Sequence, residues 1–357
     1  MTPLPSPDTR KAPAMTGPDA AHHAAHHAVG LIDRSGRVRL AVTGPDRARF
    51  LHNLTTNDVK RLPAGRGCEA FVTSLQGKTL GYVTLLVADD RVLLRTDPGG
   101  LEFLLPHFAK YGALDDVAWE DVSAATCELH LAGPDAETLI ERAGGAIPED
   151  AADRHLRTSL AGREVLVARE APVGPPGLTV IGRRDDLEEI GRALRREGES
   201  LGLVDIDPAT AEALRIEAGT PAAGRDVRPE NLPQELGRDD RAISFVKGCY
   251  LGQETVARID ALGHVNKILK GLRIAGAGVP AAGTPLEVGG KPVGAITSAA
   301  HSPAAGGPIA LAFLKVTCAA PGTEVTLAGG AGPGTAVVLD LPMKFTPPAP
   351  LGRGEPG

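Results

Sequence analysis

The sequence is poor in aromatic residues and carries no excess of positive charge. Aromatic residues make up 3% of the 357 residues, which disfavours a stacking surface for single-stranded nucleic acid. The net charge of −6 argues against a basic nucleic-acid surface, so we expect no direct DNA binding. No apolar run approaches the roughly 20 residues of a transmembrane helix, and the N-terminus has no signal-peptide core. We therefore expect no membrane association.

Cysteine is also scarce. The four cysteines, Cys68, Cys127, Cys249 and Cys318, are far apart and form neither a CxxC pair nor a zinc-type Cys/His spacing. Widely spaced cysteines in a chain of this length indicate reduced thiols and predict a cytoplasmic protein. The hydrophobic content of 42% is sufficient for a large core, and the length predicts two or three domains.

Both ends of the chain lack periodic apolar residues. Residues 1–28 are rich in Pro, Ala, Thr and His, and residues 346–357 in Pro and Gly, so we predict two disordered tails. The first tail contains His22, His23, His26 and His27. In a helix, histidines four positions apart could chelate a metal ion, but an unstructured tail does not fix that geometry. We assign no metal site.

Between these tails the sequence predicts two kinds of structure. Strands and helices alternate over residues 29–268 without a regular βαβ period, which indicates the α+β class. Residues 269–345 read as short strands separated by Gly/Pro turns, which is typical of a small β-barrel.

One segment is suited to chemistry. The octet Lys-Gly-Cys-Tyr-Leu-Gly-Gln-Glu, residues 247–254, follows a predicted short strand, Ile243–Val246, and runs into a helix predicted to begin near Gly252. Free N–H groups at a helix start, together with Lys247, would lower the pKa of the Cys249 thiol and make it reactive. The same local sequence also fits a small buried cysteine beside two turn glycines.

A second candidate lies at the end of a helix predicted over residues 208–218. Arg215 and Glu217 are two positions apart and so lie on different helix faces, which allows one of them to point into a cleft. A buried carboxylate there could bind the paired N–H donors of a pterin or a similar planar heterocycle. A solvated glutamate near the helix end is the alternative.

Taken in order, several segments resemble the YgfZ family of folate-binding proteins over residues 31–345. The segments are Gly44-Pro45-Asp46, Phe50-Leu51, Leu54-Thr55-Thr56-Asn57-Asp58, Gln76-Gly77-Lys78, Arg215-Ile216-Glu217-Ala218-Gly219, Leu232-Pro233-Gln234-Glu235 and the octet. The octet is the most specific of them, and the upstream segments add weight through their order.

The resemblance implies a fold similar to that of the T-protein (aminomethyltransferase) of the glycine cleavage system. It implies two intertwined α+β domains, about 29–125 with 205–268 and 126–204, which surround a tetrahydrofolate-binding channel with the barrel. The family's functional cysteine matches Cys249, and Glu217 matches the pterin-binding glutamate of the T-protein. The T-protein's catalytic aspartate is not transferred to Asp97. The implied folate-binding residues are Arg215, Glu217, Lys247, Gly248, Tyr250, Gly252, Gln253 and Glu254.

The resemblance also implies a role in assembling or repairing iron–sulfur clusters in client enzymes, including tRNA-modifying enzymes. One reactive cysteine cannot hold a cluster that takes about four ligands, so any bound cluster would be transient or shared with a partner. Two alternatives remain open. One is folate-dependent aminomethyl transfer, although the T-protein lacks the cysteine motif. The other is a non-catalytic protein that binds tRNA or a partner.

Overall fold

The structure is a computed structural model that describes residues 16–263, 265–328 and 334–345. The predicted tail at residues 346–357 lies outside the described residues, as does the tail prediction for residues 1–15. Among the described residues, no helix is long and apolar enough to cross a membrane.

Helices and strands mix along the chain as the α+β prediction requires. The helices are α1 Gly17–His27, α2 Arg47–Leu54, α3 Leu101–Tyr111, α4 Ala136–Arg142, α5 Leu187–Gly198, α6 Pro208–Ala218, α7 Asp239–Ala242 and α8 Gln253–Leu262. The strands are β1 Gly30–Asp33, β2 Val38–Thr43, β3 Arg66–Thr73, β4 Thr79–Val87, β5 Val92–Thr96, β6 Ala118–Asp121, β7 Thr126–Ala132, β8 His155–Leu160, β9 Arg163–Glu170, β10 Gly177–Arg183, β11 Val204–Asp205, β12 Lys267–Ile274, β13 Pro285–Val288, β14 Lys291–Ser302, β15 Gly307–Lys315, β16 Glu324–Leu327 and β17 Gly334–Leu339.

The first sheet is antiparallel, with strand order β3-β4-β5-β2-β6. Helices α2 and α3 cover one of its faces. Phe50 of α2 stacks on Trp119 and meets Phe108 of α3 edge-on, and all three belong to one apolar cluster. Side chains alternate along a strand, so Leu40 and Leu94 enter this cluster while their neighbours Arg39 and Arg95 are directed to the opposite face.

The second sheet has the order β11-β1-β7-β10-β9-β8, with β1 and β11 paired in parallel. It is built mainly from residues 126–183, but β1 and β11 come from outside that range. Residues 30–33, which the domain prediction assigns to the first subdomain, belong to this sheet. The reason is that β7 pairs with β10 on one side and with β1 on the other. Leu86 of the first sheet packs against Ala168 and Ile181 of the second.

The C-terminal part is a closed barrel with the order β12-β15-β14-β13-β16-β17, completed by pairing of β12 with β17. This confirms the predicted β-barrel. Alternate side chains fill its interior, including Leu272, Ile296 and Val338. Helix α6 lies against barrel strand β14 and so connects the barrel to the rest of the molecule.

The predicted N-terminal tail is wrong for residues 17–27, which form helix α1. Its alanines explain the difference, because alanine is the best helix former although it contributes little hydrophobicity. Ala21 and Ala25 are buried in a cluster with Leu214 of α6. These small side chains allow α1 to lie close to α6. A pattern of large apolar residues is absent from α1, so its buried face is not evident from the sequence.

Candidate functional site

The octet forms a connection between α7 and α8, and its lysine is a structural residue. Lys247 is buried, and its Nζ donates to the carbonyl oxygens of His52 (2.6 Å), Thr55 (2.6 Å) and Asn57 (2.9 Å). These carbonyls lie at or just beyond the end of α2, where helical partners are lacking. Burial lowers the pKa of Lys247 to about 7. The three hydrogen bonds of its Nζ brace the loop.

The cysteine two residues later is exposed. The alternative of a small buried cysteine is therefore wrong for Cys249. The predicted strand Ile243–Val246 is also absent from the described structure, and Phe245 and Val246 are exposed there. Helix α8 begins at Gln253, close to the predicted start, so Cys249 lies in a loop just before a helix.

Glycine is required at one position of the octet. Gly252 has a φ of 83°, and a Cβ there would lie 2.7 Å from the Cα of Gly77. The turn around Gly77 therefore packs directly on the octet. Thr73 Oγ1 donates to the carbonyl of Leu251 at 2.6 Å, and the Leu251 N–H donates to the carbonyl of Asn53 at 2.8 Å. Two of the upstream segments in the resemblance, residues 54–58 and 76–78, thus contribute contacts to this loop.

The remaining octet side chains act locally. Gln253 Oε1 accepts from the Tyr250 N–H at 3.3 Å, and the Lys247 ammonium lies 4.7 Å from the centre of the Tyr250 ring. Burial raises the pKa of Tyr250 to about 12. Glu254 and Gly248 are exposed. A folate-binding role for the octet residues stays a prediction.

A cavity of about 280 Å³ lies elsewhere, at the junction of the two sheets and α6, and is called here the charged cavity. Its apolar wall includes Ile32, Val173 and Ala211. Its polar wall consists of Asp33, Arg34, Arg37, Glu69, Tyr82, Thr84, Asp97, Asp153, Glu170, Glu212, Arg215, Thr220 and Arg225. No octet residue and no Glu217 atom belongs to this wall in the described part of the chain.

Beneath the charged cavity lies a network of buried ion pairs between the two sheets. Arg95 contacts both Glu170 (3.0 Å, Nη1 to Oε1) and Glu128 (3.4 Å). Burial alone would raise the pKa of Glu170, but Arg95 outweighs burial and holds that pKa well below its usual range. Burial lowers the pKa of Arg34 to about 10, and its Nη1 is buried without a hydrogen-bond partner. Arg34 therefore lines the cavity and also has one buried donor without a partner in the described structure.

Two further carboxylates shape the cavity. Asp97 accepts from Arg37 Nε at 3.3 Å and from the Ala223 N–H at 3.1 Å, and these groups lower its pKa against the effect of burial. Asp153 behaves in the opposite way, because burial and the charges of Glu69 and Glu170 raise its pKa to about 6. The cavity thus contains an anion with fixed partners and a second carboxyl whose charge changes near neutral pH.

Arg215, predicted to bind the cofactor, does line the charged cavity. Its guanidinium is held by Glu212 (2.7 and 2.9 Å) and by Asp226 (2.8 Å). Asp226 is fully buried and also accepts from Ser298 of the barrel at 2.7 Å. The arginine therefore links the cavity wall to the barrel.

Glu217 is directed elsewhere, as the two-residue spacing from Arg215 predicts. Its carboxylate is buried, with Oε2 2.9 Å from His22 Nε2 and Oε1 accepting from Ser302 Oγ at 2.6 Å. A pterin-binding role for Glu217 stays a prediction, and it would require displacement of His22.

Sequence reasoning missed Glu69, Tyr82, Asp153 and Glu170 as cavity residues. A signal was present for Glu69, which stands between the buried residues Cys68 and Ala70 in β3. A charge in such a position needs a buried partner or a ligand. The sequence does not say which strand supplies that partner.

The two α+β sheets, the closed barrel and the charged cavity at their junction define a T-protein-like class of protein. The GCVT N-terminal domain model matches residues 8–247, and the glycine cleavage T-protein C-terminal barrel domain model matches residues 267–344. The chain belongs to the glycine cleavage T-protein (GCVT) family.

Individual relatives agree with this assignment. The chain is 31% identical over 300 residues to an aminomethyltransferase of Rubrobacter xylanophilus, covering 84% of this chain and 79% of that protein. It is 29% identical over 311 residues to a chloroplastic Arabidopsis thaliana protein named as a transferase, covering 87% and 70%. The crystal structure of aminomethyltransferase T from Bartonella henselae matches with a TM-score of 0.81 at 21% identity, covering 91% and 89%. That last likeness concerns the fold.

Proposed function

We propose that the charged cavity binds a tetrahydrofolate derivative and that the protein acts in folate-dependent one-carbon transfer. The observation that carries the proposal is the composition of the cavity wall, where apolar surface stands beside several carboxylates and guanidinium groups. Aminomethyltransferases among the relatives are named for transfer of an aminomethyl group, which supports this reaction class. Bound tetrahydrofolate would supply the nitrogens that carry the one-carbon unit.

The wall residues fit such a molecule. The amino-pyrimidine edge of a pterin presents N–H donors, which a carboxylate such as Asp153 can accept. Its ring carbonyl, or a glutamate-tail carboxylate, can accept from the guanidinium groups of Arg34 or Arg37 in the cavity wall. The volume of about 280 Å³ is close to the lower end of the roughly 300–1,000 Å³ of ligand pockets, so we assign the enclosed part to the ring system.

A transfer assay tests the reaction class. Aminomethylated lipoyl carrier protein is incubated with the enzyme, with and without tetrahydrofolate, and ammonia is measured. We expect release that depends on both folate and enzyme. Absence of release from a preparation that binds folate would refute aminomethyl transfer and leave folate binding to the second function below.

The second function is the YgfZ-type one, a factor that supports iron–sulfur clusters in client proteins such as tRNA-modifying enzymes. The observation that favours it is the exposed thiol of Cys249 on a braced loop, beside exposed Phe245 and Val246. Aminomethyl transfer in the charged cavity gives this thiol no task, because Cys249 does not line the cavity. A thiol accessible to a partner protein suits chemistry between two chains.

Complementation tests this function. Cys249→Ala is introduced into a strain that lacks the protein, and the activity of an iron–sulfur enzyme is measured. We expect no rescue by Cys249→Ala and full rescue by Cys318→Ala, which alters a partly exposed thiol in the barrel. Full rescue by Cys249→Ala would exclude a thiol role.

A further inference from the structure

Four of the chain's ten histidines lie in helix α1, where they form two pairs. The rings of His22 and His26 have centroids 4.7 Å apart, and those of His23 and His27 have centroids 4.5 Å apart. Residues four positions apart lie on the same helix face, so each pair can present two imidazole nitrogens in one direction. The pairs differ in their surroundings, because the first pair lies beside a buried carboxylate.

That carboxylate belongs to Glu217 of helix α6. Nε2 of His22 lies 2.9 Å from Oε2 and 3.2 Å from Oε1 of Glu217. One potential ligand atom from each of His22, His26 and Glu217 lies within 4.8 Å of the others. Ligand atoms around a tetrahedral zinc ion, with bonds of about 2.0–2.1 Å, are about 3.3 Å apart. Rotation of the exposed His26 side chain can supply the small closure that is needed.

The carboxylate is already oriented for such a role. Ser302 Oγ donates to Oε1 of Glu217 at 2.6 Å and itself accepts from the Ala305 N–H at 2.9 Å. Hydrogen bonds of this kind to the outer oxygen hold metal-binding carboxylates in place. They leave Oε2 directed toward the histidines.

The backbone positions are fixed as well. Ala21 and Ala25 of α1 pack against Leu214 of α6, one helical turn before Glu217. A hydrogen bond between His22 and Glu217 would by itself explain how these two polar side chains can be buried. It gives no role to the second imidazole, that of exposed His26, which also offers a nitrogen within 4.8 Å of a carboxylate oxygen of Glu217.

We propose that His22, His26 and Glu217 form a binding site for a zinc-type divalent transition-metal ion. Two imidazole nitrogens and one carboxylate oxygen are ordinary ligands of Zn²⁺, and three protein ligands leave a fourth position for water or an incoming group. The ion joins the N-terminal helix to α6 and, through Ser302, to the barrel. In this role Glu217 is not a pterin ligand, and the site is independent of the folate proposal.

Metal titration of the full-length, chelator-treated protein tests the site. Zn²⁺ binding is followed by calorimetry, and Co²⁺ binding by the visible absorption of a tetrahedral ion. We expect one tight ion per chain and at least tenfold weaker binding by His26→Ala, whose exposed side chain is not needed for folding. The matched control is the double variant His23→Ala/His27→Ala, which removes the other pair of α1 and is expected to keep wild-type affinity.

A second variant addresses the carboxylate. Glu217→Gln keeps the size of the side chain and the acceptor for Ser302, and we expect it to bind zinc at least tenfold more weakly. The proposal is overturned if the wild type binds no more tightly than His26→Ala, or if Glu217→Gln keeps full affinity. Equal loss in the His23/His27 control would also overturn it, because it would show unspecific binding to a histidine-rich helix.

Discussion

The octet and the charged cavity are built in opposite ways. The octet is eight consecutive residues, braced by Lys247 from within and by neighbouring turns, and it presents one exposed thiol. The cavity gathers its charges from separate strands and helices, from Arg34 to Arg225. The octet can therefore be recognised as a contiguous sequence motif, whereas the residues of the charged cavity come together only in the folded chain.

The largest expected effect comes from the lysine of the octet. Lys247→Met leaves three carbonyl oxygens near the end of α2 without their buried donor. Each unsatisfied buried group costs about 1–3 kcal/mol when no relaxation occurs. Local relaxation and entry of water recover part of the cost of the three carbonyls, so we expect a loss of about 2–4 kcal/mol in the free energy of unfolding. Urea denaturation followed by circular dichroism measures it.

Cys249→Ser is the matched control for that variant. The side chain is exposed, so we expect a change of no more than about 0.5 kcal/mol in the free energy of unfolding. Similar effects for the two variants would break the division of the octet into a structural lysine and a free thiol.

A smaller effect, dependent on pH, is expected in the charged cavity. The folded pKa of Asp153 is raised to about 6, so the loss of stability that its ionisation causes grows between about pH 4 and pH 6 and is complete above pH 6. Asp153→Asn removes this cost and keeps a residue that tolerates the local φ of 59°. We expect the variant to be about 1 kcal/mol more stable than wild type at pH 8, because partial exposure reduces the full value of the shift.

The same measurement at about pH 3 provides the control. Wild-type Asp153 is then mainly protonated in both states, so the two proteins are expected to have nearly equal free energies of unfolding. A stabilisation that is independent of pH would contradict the raised pKa and point to a change in backbone strain.

The α+β class and the barrel could be predicted from sequence because strand and turn patterns are local. Helix α8 was predicted close to its true start for the same reason. The sequence does not reveal helix α1, because its buried face is made mainly of alanine. The segment Ile243–Val246 is rich in apolar residues and so resembles a strand, but Phe245 and Val246 are exposed in the structure.

The contacts within the candidate site are harder to predict from the sequence than the fold class. Lys247 could be noticed as a cation beside a thiol, but its acceptors lie 190–195 positions away in the chain. His22 and Glu217 are likewise 195 positions apart. Nothing local distinguishes a lysine that activates a thiol from one that closes a helix end, and only the fold decides between them.

Folate binding in the charged cavity is the central claim, and a titration with a matched pair of variants tests it most directly. Gly36 lines the cavity, and a Cβ there meets nothing within 4 Å, so Gly36→Trp places bulk at the cavity without a backbone clash. Gly278 is equally open but lies in the barrel region away from the cavity, so Gly278→Trp is the control. Calorimetry with 5-formyltetrahydrofolate should show binding by wild type and Gly278→Trp, and at least tenfold weaker binding by Gly36→Trp. Absence of binding by the wild type, or equal affinity in all three proteins, would contradict the placement of folate in this cavity.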